Sequence, residues 1–72
     1  MRLVLQKKDN SAFIEDLAGS WTRDREVAYV FANGLEALCF CFERRLPSMK
    51  ILAMFSDPAL NFAVPVTDVQ GD

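Results

Sequence analysis

Apolar residues recur at helical spacing over one long stretch, Asn33 to Leu46, where Leu35, Leu38, Cys39, Phe42 and Leu46 fall on one stripe. Asn33 suits the N-cap, and Glu36 sits three residues on, within reach of the Asn33 amide. Arg44 and Arg45 fill the last turn, where cations suit the negative end of the helix dipole, and Pro47 ends the helix. At about 100° per residue the stripe stays within roughly 60° of Leu35, while Phe40 falls at about 140°, among Glu36, Glu43 and Arg44. A large aromatic on that polar side calls for a cover: the segment around Phe31, the C-terminal strand, or a second subunit.

Short alternating or apolar runs flank this helix and predict strands. Leu3 to Gln6 places Leu3 and Leu5 on one face and Arg2, Val4 and Gln6 on the other. Lys7 to Asn10 is a polar hairpin loop, and Ala12 to Asp16 is the returning strand. Gly19 marks a bulge or a second turn, beyond which Trp21-Thr22 extends the strand. Asp24 suits the N-cap of a brief helical turn that sets Ala28 and Phe31 on one side. The rival is a strand over Val27 to Phe31, since Val, Tyr and Phe favour the pleated state. Arg25 to Ala28 lacks alternation, which favours the turn.

After the helix, Lys50 to Phe55 is the most apolar strand, with Ile51, Ala53 and Phe55 on one face and Leu52 and Met54 on the other. Such a strand needs both faces covered, by its own chain or by a partner. Ser56 to Asn61 is a turn, and Phe62 to Val66 returns as an edge strand because Pro65 cannot donate to a ladder. Thr67 to Asp72 reads as a frayed polar tail. The pattern therefore predicts a small two-layer α+β domain in ββαββ order. One main helix packs its Leu38–Phe42 stripe across a mostly antiparallel sheet.

Composition narrows the classes. The 72 residues, 1–72, allow one domain, and a domain so short is marginal unless something supplements its core. An apolar content of 51% with six Phe excludes a disordered segment. The net charge of −2 offers no broad attraction for phosphate backbones, so nucleic acid is disfavoured as a partner. Met1 to Leu5 turns polar at Gln6-Lys7-Lys8, too early for a secretory apolar region, and no apolar run is long enough to cross a bilayer. A cytoplasmic location without membrane contact is the expectation.

Candidate chemistry is sparse. There is no His, which removes the commonest general base and metal ligand. Cys39 and Cys41 would point to nearly opposite sides of a helix, so they cannot pair, and zinc lacks two further ligands. On the predicted stripe Cys39 is a core residue and Cys41 the more exposed thiol. Glu15 and Asp16 fall on opposite strand faces and form no carboxylate dyad. No catalytic, cofactor-binding or metal residue is assigned, and the chain reads as non-enzymatic.

Trp21-Thr22-x-Asp24, Ala28-x-x-Phe31 and Glu36-Ala37 together resemble a pattern of small bacterial and phage proteins of no settled function. The resemblance implies a hairpin ending in the Trp, a turn carrying Ala and Phe, a helix near Glu-Ala and a following strand. It implies no activity, and the return through Phe62 to Val66 departs from it. The functional expectation is a protein–protein interaction or assembly module, self-associating as a dimer, with Phe40, Leu52, Met54 and Phe55 at the contact. A different protein partner stays open. The alternative is a nucleic-acid accessory protein using Trp21, Arg23 and Arg25, although Asp24 and Glu26 interleave and cancel the local field.

Overall fold

The computed structural model describes residues 1–66; the tail expected to fray, 67–72, lies outside the described residues. The elements run β1 (Arg2–Lys7), β2 (Phe13–Ile14), β3 (Trp21–Thr22), α1 (Gly34–Arg44), β4 (Met49–Met54) and β5 (Phe62–Pro65), with a 3-10 turn at Pro58–Leu60. The strands form one antiparallel sheet in the order β3-β2-β1-β4-β5, so the fold is α+β. It carries one strand more than ββαββ. Gly19, at φ 101°, turns the chain, so that Trp21-Thr22 pairs back on Phe13-Ile14 instead of extending it. Asp16 closes that turn by accepting from the amides of Ser20 (3.2 Å) and Ala18 (3.0 Å), which hold its carboxyl below the ordinary carboxylate value, Ser20 most.

β1 and β4 pair along their whole length, from Arg2 opposite Met54 to Lys7 opposite Met49. Leu3, Leu5, Ile51 and Ala53 therefore share one face, and Val4, Leu52 and Met54 the other. β5 continues the first face with Phe62 beside Ala53 and Val64 beside Ile51. The Val66 amide donates to the Met49 carbonyl (3.0 Å), so by alternation Pro65 occupies a place whose N–H would point away from the sheet. Pro65 thus costs the sheet no hydrogen bond and blunts its open edge.

β2 meets β1 in register only at Phe13 and Gln6. The chain from Asp24 to Phe31 uses the room this leaves. A turn closes where the Val27 amide donates to Asp24 (3.0 Å), and then the backbone extends. Tyr29 donates to Ile14 (2.9 Å) and Phe31 to Leu3 (2.8 Å), so this segment wedges between β1 and β2. Ala28 and Phe31, expected on one side, consequently serve opposite faces. Ala28 joins Val4, Phe13 and Met54, while Phe31 packs with Leu5, Ile14 and Met49. Arg2 pins the turn, bridging to Glu26 (3.4 Å) and donating to the Arg25 carbonyl (3.0 Å).

The helix caps itself largely as expected. Asn33 Oδ1 accepts from the Glu36 amide, and Glu36 Oε1 accepts from Ala32, one residue before the expected Asn33, both at 2.9 Å. The end comes before Leu46: Arg45 turns left-handed at φ 53°, and the Leu46 amide returns to the Cys41 carbonyl (3.0 Å), closing a Schellman motif. The larger correction is rotational. α1 buries Ala37, Phe40 and Cys41, while Leu35, Cys39 and Phe42 of the expected stripe are exposed and Leu38 is half-buried. Phe40 is only 8% exposed, its ring centre 5.6 Å from that of Phe31. Two small residues, Ala37 and Cys41, bring the helix close to the sheet, and Phe40 fills the space beside them.

Candidate functional site

The rotation of α1 leaves part of the sheet open. The helix packs on Leu5, Ile14 and Met49, toward the β2 side, and stops short of β5. Between them runs an open groove of about 680 Å³. Leu3, Ile51 and Ala53 form its floor; Leu38 and Phe42 form one wall, and Phe62, Val64 and Val66 the other. Among the described residues ten line it, and none of these has a charged or hydrogen-bonding side chain. Phe42 is 45% exposed, Phe62 53% and Val64 48%, and Leu35, on the outer rim, 69%. Such a lining fits apolar side chains better than a polar ligand.

The helix explains why the groove exists. From Phe40 through Ala37, Cys41, Gly34, Leu38 and Phe42 to Leu35, its apolar residues span about 220° at 100° per residue, with Arg44 alone among them, between Phe40 and Ala37. A helix that packs on one sheet needs little more than about 100°. The Phe40 half of the arc meets the sheet, and the Leu38–Phe42 half is left over. Width of the apolar arc is thus the signal that could have located the groove.

The residues expected at a contact are dispersed. Phe40 lies in the core, with the Arg44 guanidinium carbon 5.1 Å from its ring centre, and Arg44 also donates to the Leu17 carbonyl, tying the β2–β3 loop to the helix. Met54 is buried on the second face, with Leu52 half-buried beside it. Phe55 is half-buried just past β4; its amide donates to Asn61 Oδ1 (2.6 Å) and its ring lies 6.0 Å from Phe62. Trp21 and Arg23 do share a cavity, about 370 Å³, with Lys7, whose Nζ is 4.4 Å from the indole centre. Arg25 lies apart from it, in the turn that Arg2 holds.

The two thiols exchange roles: Cys41 is buried and Cys39 exposed, because the helix is turned. Burial pushes the Cys41 thiol from 9.0 up to about 11. Cys39 should react promptly with a thiol reagent in the native protein and Cys41 only after unfolding; equal native rates would contradict the helix rotation. Between pH 9 and about 11 the unfolded chain has lost the Cys41 proton and the native one keeps it. This contribution to stability is therefore complete below pH 9 and falls as pH rises through that window, which alkaline urea melts of wild type and Cys41→Ala can measure.

Among the described residues, no group of three His, Cys, Asp or Glu side chains is placed to hold a metal ion, and no helix is long and apolar enough to cross a membrane. Comparison of the chain with protein-family models, with curated proteins and with solved structures finds no match.

Proposed function

We propose that this chain is a non-enzymatic protein–protein interaction module that self-associates through the groove between α1 and β5. In this reading the helix and sheet form two layers, and the groove is the part of the sheet that a single helix leaves uncovered. The observation that carries it is the lining, all apolar among the described residues, with Phe42, Phe62 and Val64 about half exposed. Exposed apolar surface of this kind, gathered in one concave place, marks interaction sites in soluble proteins. Sedimentation should show the apparent mass rising above the monomer from low to high micromolar concentration, and the rise should survive high salt. A folded monomer at high micromolar concentration would refute self-association.

A nucleic-acid accessory role is the second reading, favoured by one observation, the Lys7 ammonium over the exposed Trp21 ring beside Arg23. Here a single-stranded oligonucleotide should bind, binding should weaken steeply with salt, and Trp21→Ala should abolish it. Absence of salt-sensitive binding eliminates this reading.

A further inference from the structure

The groove lies directly beside a ridge of the same chemistry. Leu35 and Phe42 stand out along the outer side of α1, and Leu38 descends from them into the groove. A convex and a concave apolar element side by side on one surface are self-complementary under a two-fold axis, because each copy's ridge can enter the other's groove. Resting on the self-association reading above, we infer that the occupant of the groove is the Leu35–Phe42 ridge of a second copy of this chain, seated against Phe62 and Val64.

Area supports this occupant. At roughly 150–250 Å² for a whole aromatic side chain and less for an aliphatic one, the exposed fractions of Leu35, Phe42, Phe62 and Val64 amount to about 400 Å². Two copies would remove about 800 Å², and the partly covered neighbours Leu38, Ile51 and Val66 bring the total to about 1,000 Å², the lower bound for a specific interface. A weak, reversible dimer is the consequence. Other elements suit the role less well. The Pro65 edge discourages strand addition. The second face already holds Ala28, and the sequence 67–72 offers the groove a single apolar side chain, Val69.

Two substitutions at exposed positions, Leu35→Lys on the ridge and Val64→Glu in the groove, provide the test. Each should keep the wild-type circular dichroism spectrum, and each alone should weaken self-association in sedimentation by at least about tenfold. Mixed one to one, they should form a heterodimer close to wild type in strength. In that pair one contact sets lysine against glutamate, and the other is wild type on both sides. Leu35→Gln and Val64→Thr supply milder versions should either charge disturb folding. A dimer broken by Leu35→Lys but indifferent to Val64→Glu, or a mixture that stays monomeric, overturns this inference and leaves self-association standing. A wild-type monomer at all concentrations overturns both.

Discussion

Phe40→Ala should lower the unfolding free energy by about 3–5 kcal/mol in urea melts, whereas Phe42→Ala should cost about 1 kcal/mol. The two residues sit two apart on the same helix, and hydropathy does not separate them. Packing does. Phe40 is buried between α1 and the Phe31 ring, with Ala37 and Cys41 beside it, so its removal opens a cavity that rigid neighbours on the sheet cannot fill. Phe42 already meets solvent over nearly half of its surface and leaves no enclosed space. A chain of 72 residues has about 4–11 kcal/mol of stability in total, so the Phe40 variant should be near its unfolding threshold at room temperature. Equal losses for the two variants would mean that the helix is turned otherwise.

The same pair shows which level of structure is legible in this sequence. The start of α1 is local chemistry: an Asn followed three residues later by Glu satisfies orphan amides wherever the helix lies, and both side chains do so. Rotation is not local. Where the apolar arc covers about 220°, periodicity centres the stripe on its bulkiest members, Leu38 and Phe42, while close approach to a sheet favours small ones. Ala37 and Cys41 win that contest, and Phe40 follows them inward. The left-handed Arg45 was equally hidden, since no glycine or asparagine announces the helix end.

The sheet divides in the same way. β4 was recognisable as a strand that needs cover on both faces, because its alternation is apolar on each. What covers the second face depends on hydrogen bonds between distant residues, from Tyr29 to Ile14 and from Phe31 to Leu3, that carry the Asp24–Phe31 segment through the sheet. No composition or spacing signals that route. It replaces the partner contact expected of Leu52 and Met54 with an internal one, and moves the unsatisfied surface to the opposite face, where Phe62 and Val64 face Phe42 across the groove.

Met54→Lys tests that internal cover most severely, and it should leave the chain largely unfolded at neutral pH. Met54 packs with Val4, Phe13 and Ala28, and among the described residues no polar or charged side chain is buried that could pair with an ammonium. The variant must therefore hold an ammonium at the edge of an apolar cluster, beside Arg2, which repels it, and a Glu26 already bridged to Arg2, or surrender a proton to fold, at a cost of several kcal/mol either way. The sign of its pH dependence follows. The native lysine pKa would be depressed below the unfolded value, so the unfolded state binds the extra proton, and raising the pH toward 10 should recover stability relative to wild type. Comparison with wild type at each pH cancels the opposing Cys41 contribution. Leu52→Lys, on the same face but half-buried, should fold, because a lysine stem can lie along apolar surface with its head in water. If Met54→Lys instead folds as well as Leu52→Lys, the Ala28 segment does not seal this face, and Met54 is again available to a partner.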